Sequence, residues 1–539
     1  MLKLQGKPVQ EGIAIGKIRV IETIKPEIER RKTDNVSEEL IRVSEAVDKA
    51  KQQLSELYDN ALKKTDEKTA AIFEVHKMML EDGGYLDGIR NIVEGEKVNA
   101  EYAVRSTGEK YAGIFLAMDD ENMRNRAGDM RDISDRVILN LMGKTYEKPE
   151  TGEPFILVAD DLTPSQTVNL NKEEILAIVT VKGSVNSHSA ILARNMEIPA
   201  LIQAPIDDMH KLDGKTAVVD AYEGSFITDP SEELIKEKEL VKKEKEGQKE
   251  ELSKYRGLET KTRDGRRISL YANAGSIEDI KRALKNDAEG IGLFRSEFLF
   301  IGKDECPTED EQFQVYKQAL CLMGNKKVII RTCDIGADKQ ADYLDLEKEE
   351  NPALGYRGIR ICLDRREFFK TQLKALYRAS VYGNLSVMYP MITSALEVDK
   401  IKAITEEVKE ELGRDGISYD EGVEQGIMIE TPAAALIADE LAAKVDFFSV
   451  GTNDLTQYTL AMDRQNPKLE SFADKYHPAV FKLIEMAARA AMKNNIPVGI
   501  CGELAADTSL SKRFADMGID ELSVSPGKIL GLRKKISTC

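Results

Sequence analysis

Cysteine is scarce in this chain: six residues in 539, at positions 306, 321, 333, 362, 501 and 539, with no Cys-x-x-Cys pair. That scatter excludes a disulfide framework or a structural zinc site as the organising device. Long apolar runs are missing as well. No uninterrupted stretch approaches the ~18 residues of a membrane span, and Met1-Leu2-Lys3-Leu4-Gln5-Gly6-Lys7-Pro8 has no long apolar core, so a cytoplasmic protein with no membrane association is expected. Positive charge is in deficit, with 77 Lys and Arg against 94 Asp and Glu and a net charge of −17. Nucleic acid is therefore not expected as the main partner, because phosphate backbones are met by clustered cations. What is present, 42% apolar and 32% charged residues, suits a soluble globular chain. Its length suggests about three to four domains.

In chain order, residues 12–22 alternate apolar with small or polar side chains, as a short strand does. Asn35 with Glu38 three residues on predicts a capping box. From there Leu40, Val43, Val47, Ala50, Leu54, Leu57 and Ala61 step by three and four along a packed helix, and similar faces recur over 72–80, 103–118 and 123–142. About four antiparallel helices follow from this pattern. His76, inside one of them, is expected at the helix surface or partly buried. From Phe155 the pattern changes to short strands and helices that close near Pro230 as a compact α/β module. His210 lies there in a polar stretch and is expected to be solvated. Residues 231–257, dense in Glu and Lys, read as a solvated spacer helix of roughly 39 Å.

Within the α/β module, an apolar run over 175–181 leads into Gly183-Ser184-Val185-Asn186-Ser187-His188-Ser189-Ala190 and then a helical spacing at Ile191, Leu192 and Met196. His188 thus falls in a strand-to-helix turn, where unpaired amides and the helix dipole favour a phosphoryl group carried on imidazole. A histidine that merely caps the helix satisfies the same position, and the C-terminal half weighs between the two.

Beyond residue 258 strand and helix alternate regularly. Candidate strands are 268–272, 291–294, 328–331, 385–389, 427–430, 447–450, 498–501 and 521–524, the signature of a TIM barrel whose active site lies where the strands end. Those ends carry Arg295 and Glu297, Arg331 and Asp334, Glu430, Asn453 and Asp454, then Cys501 and Glu503. Glu430 and Asp454 offer hard oxygens suited to Mg²⁺. Arg295, Arg331 and Arg464, with Arg357, suit a small acid bearing both phosphate and carboxylate. None of these groups is an obvious phosphoryl acceptor, whereas a neutral imidazole such as His188 is. Cys501 is either a general acid or an inert buried thiol. Gly143-Lys144-Thr145 and Gly214-Lys215-Thr216 look like P-loop ends, but Ile138 and Met209 stand where the upstream glycine is required, so no ATP site is indicated.

Gly426-Ile427-Met428-Ile429-Glu430-Thr431-Pro432, Phe447-Phe448-Ser449-Val450-Gly451-Thr452-Asn453-Asp454-Leu455-Thr456-Gln457-Tyr458 and Cys501-Gly502-Glu503 resemble signatures of the enzyme I family of bacterial phosphoenolpyruvate-dependent sugar phosphotransferase systems. Asn351-Pro352-Ala353-Leu354-Gly355-Tyr356-Arg357, Leu293-Phe294-Arg295-Ser296-Glu297-Phe298 and Asp161-Leu162-Thr163-Pro164-Ser165 are similar to further motifs of that family. The resemblance runs the full length. It implies an α/β phosphohistidine domain at 1–22 and 145–230, an inserted helical domain at 23–144 that docks the carrier protein HPr, a linker helix at 231–258, and a (β/α)8 TIM barrel at 259–539 that binds phosphoenolpyruvate and joins a homodimer. It further implies that His188 is the phosphoryl carrier, Thr167 its hydrogen-bond partner, Glu430 and Asp454 the Mg²⁺ ligands, Arg295, Arg331, Asn453 and Arg464 the substrate contacts, and Cys501 the proton donor that yields pyruvate. The family usually reads Gly-Gly-Arg-Thr-Ser-His where this chain has Gly183-Ser184-Val185-Asn186-Ser187-His188, and Gln203 stands where a glycine is usual. Those departures leave a non-catalytic phosphoenolpyruvate-sensing regulator as the alternative. Dikinases and synthases sharing this barrel need an ATP-grasp domain where the helical region lies.

Overall fold

The computed structural model describes residues 2–21, 28–64, 67–118, 121–144, 153–163, 166, 170–171, 173–183, 187–303, 305–336, 341–464, 466–472, 474 and 476–539. The chain divides into two compact units, Met1–Gly247 and Gln248–Cys539.

The first unit contains an eight-stranded sheet. Its strands are β1 (Leu2–Gln5), β2 (Lys7–Gln10), β3 (Ile13–Ile21), β4 (Phe155–Ala159), β5 (Ile175–Thr180), β6 (Ala200–Ile202), β7 (Thr216–Asp220) and β8 (Ser225–Thr228), in the order β1-β8-β7-β3-β4-β5-β6-β2. Strands β3 to β6 are parallel neighbours, while the flanking pairs run antiparallel. Strand alternation builds two cores: Ile156 and Val158 face one, and Phe155, Leu157 and Ala159 face the other. On the second face pack Leu192 and Ala193 of the helix His188–Met196, which joins β5 to its parallel neighbour β6.

Between the adjacent strands β3 and β4 the chain leaves the sheet to form helices Val36–Lys64, Glu67–Glu81, Gly83–Glu96, Ala100–Leu116 and Glu121–Leu141. Among the described residues these are five helices rather than about four. The additional one, Gly83–Glu96, holds four glycines, which are poor helix formers, although Tyr85, Ile89 and Val93 are buried and Leu86 and Ile92 pack against the same core. The cap at Asn35 forms through its Oδ1, which accepts the Glu38 N–H at 3.2 Å. Glu38 answers to the Asn35 side-chain amide, and the Asn35 N–H goes to Thr33, so the reciprocal box is incomplete. His76 corrects the expectation of a surface or partly buried position. It is fully buried, with Nε2 3.3 Å from Asp129 Oδ1 and Nδ1 3.9 Å from Asp132 Oδ2, so aspartates in the core supply the polarity that solvent was expected to supply.

The charged segment forms the helix Glu232–Ser253. It is exposed along most of its length except at Lys238, which is buried and donates to Asp220 Oδ2 at 2.7 Å and Glu223 Oε2 at 3.1 Å. One buried ion pair thus ties a solvated helix to the sheet unit.

In the second unit β9 (Ser269–Ala274), β10 (Gly290–Arg295), β11 (Val328–Arg331), β12 (Leu385–Tyr389), β13 (Glu424–Ile429), β14 (Phe447–Val450), β15 (Val498–Cys501) and β16 (Glu521–Val524) close into an all-parallel barrel, β16 pairing with β9. Leu293, Ile329, Met388, Met428, Phe447 and Cys501 form a cluster of their own inside it, while the larger core lies between strands and outer helices.

Candidate active site

The apolar strands end in polar groups. Arg295 and Arg331 are the last residues of β10 and β11 and stand opposite one another in the strand register. Arg331 is buried. Its Nη2 donates to Glu297 Oε1 at 2.6 Å and its Nη1 lies 3.0 Å from Asp334 Oδ2. Arg357 Nη2 donates to both Asp334 oxygens at 3.0 Å, and its Nη1 reaches the Tyr458 hydroxyl at 3.4 Å. Burial alone lowers the Arg331 guanidinium, but the carboxylates of Glu297, Asp334, Glu430 and Asp454 outweigh it and hold the group above its ordinary value. Arg331 therefore stays a fixed cation in a carboxylate-rich setting.

Glu430 directly follows β13 and is buried. Its Oε1 accepts the Met391 N–H at 2.6 Å, while Oε2 has no hydrogen-bond partner among the described residues. Met391 adopts φ +58°, a left-handed conformation that a non-glycine residue holds only when its surroundings impose it, and it aims this N–H at the carboxylate. Burial, the Asp454 carboxylate and the Asp334 carboxylate push Glu430 up to about 8, with Arg331 and the Met391 amide opposing. Gly451 leaves room here: a Cβ at that position meets Glu430 Oε2 at 3.0 Å and Met428 Sδ at 2.9 Å.

Asp454 lies in the first turn of the helix Thr452–Leu460, which begins one residue after Gly451. It is buried, and its Oδ1 has no hydrogen-bond partner among the described residues, with Arg464 Nη2 3.9 Å away. Asn453 Oδ1 accepts the Glu503 N–H at 3.1 Å. Cys501 ends β15 and is buried; Ser449 Oγ donates to its Sγ at 3.0 Å. Burial pushes the thiol up to about 12, with the Ser449 hydrogen bond and Arg331 opposing, so it carries its proton at neutral pH.

Arg331, Glu430, Asp454, Cys501 and Arg464 thus share one electrostatic neighbourhood. Arg295 and Arg464 are exposed, Arg295 lying over the Phe298 ring at 4.9 Å from its centroid. His188 belongs to the first unit, as the first residue of its helix behind the N-cap Ser187, whose Oγ accepts the Ala190 N–H. Thr167 and Ser184-Val185-Asn186 lie outside the described residues. Ser449, Met391 and Gly451 escaped the sequence reasoning as contributors. The only available signal was a lone hydroxyl inside Phe447-Phe448-Ser449-Val450.

Three family descriptions match the chain in succession: "PEP-utilising enzyme, N-terminal" over 5–126, "PEP-utilising enzyme, mobile domain" over 151–224, and "PEP-utilising enzyme, PEP-binding domain" over 249–539. A barrel rimmed by arginines and carboxylates, preceded by such a mobile domain, defines the class as multidomain phosphoenolpyruvate-utilising enzymes. Among proteins named phosphoenolpyruvate-protein phosphotransferase, that of Geobacillus stearothermophilus is 44% identical over 99% of this chain and 92% of its own. That of Bacillus subtilis is 42% identical over 100% and 94%, and that of Staphylococcus carnosus 39% over 99% and 93%. The chain belongs to the phosphoenolpyruvate-protein phosphotransferase family. A solution structure titled as an Enzyme I protein is 32% identical and covers 45% of this chain and 99% of its own, with a TM-score of 0.40.

Proposed function

We propose that the chain transfers the phosphoryl group of phosphoenolpyruvate to His188 and from there to a histidine of the carrier protein HPr, releasing pyruvate, as the first step of sugar uptake. The observation that carries the barrel's part is that two buried carboxylate oxygens, Glu430 Oε2 and Asp454 Oδ1, have no hydrogen-bond donor among the described residues. Buried charge without a partner is costly. Glu297, Asp334, Glu430 and Asp454 also outnumber the buried guanidiniums of Arg331 and Arg357. A divalent cation answers both, and the glycine at 451 leaves it space. Among the described residues no group of three or more His, Cys, Asp or Glu converges as a metal site. Two carboxylates plus water and substrate oxygens are what Mg²⁺ prefers. Bound there, Mg²⁺ supplies charge neutralisation at the phosphate and the developing enolate oxygen.

The side chains of Arg295, Arg331, Asn453 and Arg464 hold the phosphate and carboxylate of the substrate, Arg331 as a rigid cation fixed by two carboxylates and the exposed Arg295 and Arg464 as groups free to close on it. His188 takes the phosphoryl group at a helix N-terminus, where amides and dipole stabilise the added charge. Cys501, still protonated at neutral pH, gives its proton to the enolate. The domains follow the same division: 1–22 and 145–230 carry the phosphohistidine, 23–144 docks HPr, 231–258 links, and 259–539 binds phosphoenolpyruvate and forms the homodimer. No observation favours the non-catalytic regulator.

Incubation with Mg²⁺ and phosphoenolpyruvate labelled in the phosphoryl group tests the assignment. Acid-labile label on the wild type, none on His188→Ala, and release of pyruvate are expected. Absence of label from a folded wild type overturns it.

A further inference from the structure

We propose that Ser449 is a positioning residue for the thiol of Cys501, one that directs its proton toward the reacting carbon; this rests on Cys501 being the acid that completes pyruvate. Ser449 and Cys501 lie on the neighbouring parallel strands β14 and β15, both buried, with Ser449 Oγ donating to Cys501 Sγ over 3.0 Å. Ser449 makes no other side-chain hydrogen bond among the described residues. Leu293, Ile329, Met388, Met428 and Phe447 complete the layer around the sulfur. In an apolar layer an alanine packs without the desolvation cost of a hydroxyl, so this hydroxyl calls for a reason other than filling space.

Its geometry supplies one. By donating to a sulfur lone pair, the hydroxyl leaves the thiol hydrogen to point away from Ser449. The thiol's own acceptor, Val450 O, is distant at 3.8 Å, so little holds the hydrogen back. Phosphoryl transfer leaves the substrate as the enolate of pyruvate. Its terminal carbon takes the thiol proton: a C–H bond forms, the S–H bond breaks, and the electron pair stays on sulfur as thiolate. The same Ser449 O–H then donates to an anion, a stronger bond than it made to the neutral thiol. The interaction therefore favours the product side of the proton transfer and lowers its barrier. Water returns a proton to sulfur before the next turnover.

The test uses the full chain with Mg²⁺ and phosphoenolpyruvate, comparing Ser449→Ala, Ser449→Thr and Cys501→Ala. Two quantities are read: kcat and KM for pyruvate release, and the alkylation rate of Cys501 by iodoacetamide at several pH values, resolved by peptide mass. For Ser449→Ala, kcat is expected to fall about tenfold with KM little changed. Alkylation at a fixed alkaline pH falls about tenfold as well, since one unit of thiol pKa is a factor of ten in thiolate. Ser449→Thr, which keeps the hydroxyl, restores both. If Ser449→Ala matches the wild type in both readouts while Cys501→Ala is slow, the acid role stands and the proposal falls. Equal loss in Ser449→Thr and Ser449→Ala, with unchanged melting temperatures, also overturns it. If Cys501→Ala releases pyruvate at the wild-type rate, the acid role fails and the proposal fails with it.

Discussion

Under the proposed function Glu430 meets two opposing demands in one carboxyl group. Burial and the neighbouring carboxylates of Asp454 and Asp334 lift it to about 8, so near neutral pH it takes up a proton in the absence of a counter-charge. A cation that needs the ionised form must displace that proton. Between pH 6 and 7 Mg²⁺ binding should therefore release close to one proton and tighten by about tenfold, with release falling to about half a proton at pH 8 and the affinity levelling above it. Titration calorimetry in buffers of different ionisation heat measures both, and an affinity flat over that range contradicts the coupling. Cys501→Ala addresses the other end of the reaction. It should slow pyruvate release by roughly 10²-fold or more, the range of a lost general acid, while substrate affinity stays near that of the wild type. Normal turnover with weakened binding contradicts the assignment. At this scale the sequence exposes charge better than arrangement. Arg331, Glu430 and Asp454 stand out because polar groups at the ends of apolar strands serve no packing purpose. Nothing in the string shows that Met391 turns left-handed to hold Glu430, or that Ser449 meets a sulfur 52 residues away.

The helical insertion shows how an element can bury charge that its sequence suggests is exposed. Helix Glu121–Leu141 places Asp129, Asp132, Asp135 and Arg136 in the core, where the aspartates face His76 and Arg105 and Arg136 donates to Gln53 Oε1 at 3.2 Å. Burial pushes Asp135 up to about 6, with the Arg105 guanidinium 2.7 Å away opposing and Asp132 adding to the rise. The folded carboxyl thus holds its proton more tightly than the unfolded one, whose ordinary value is 3.8. Its contribution to stability is full below about pH 4 and is lost as pH rises through about 6. The stability difference between wild type and Asp135→Asn should accordingly move in favour of the variant by on the order of 3 kcal/mol between pH 4 and pH 7, as denaturant unfolding would show. A pH-independent difference would remove burial as the cause. The barrel strands were legible because apolar runs such as Val328–Arg331 and Leu385–Tyr389 are bounded by polar turns and spaced by helices. Helix Gly83–Glu96 and the short flanking strands β1 and β2 were not. The four glycines of the helix mask its apolar seam, whereas the burial of β1 and β2 is too sparse to leave a period, and the place of these two strands is set by the partner strands β8 and β6.

At the scale of the whole chain, the proposed transfer requires His188, in the first compact unit, to receive a group from the second and then give it to a carrier. The two units meet in sequence within the helix Glu232–Ser253, at Gly247. Its first half is fastened within the first unit by the buried Lys238–Asp220 pair. Its last turn belongs to the second unit, where Glu251 pairs with Lys534 at 2.7 Å. Between these anchors the side chains are charged and mostly exposed, and a helix-interior glycine costs about 1 kcal/mol relative to alanine, so this is where the helix yields most readily. Removing residues 242–248 takes out about two helical turns and roughly 10 Å of reach while nearly keeping the helical phase. Phosphoenolpyruvate binding, which the proposed function assigns to the barrel, should be unchanged, whereas phosphorylation of His188 and of HPr should slow by about tenfold or more, as expected when reacting groups are held out of register. Calorimetry for binding and labelled transfer for the two phosphorylation steps separate these effects. Unaltered transfer would mean that the reach of the linker does not govern the passage of the phosphoryl group, and another path of approach between His188 and the barrel would have to carry it.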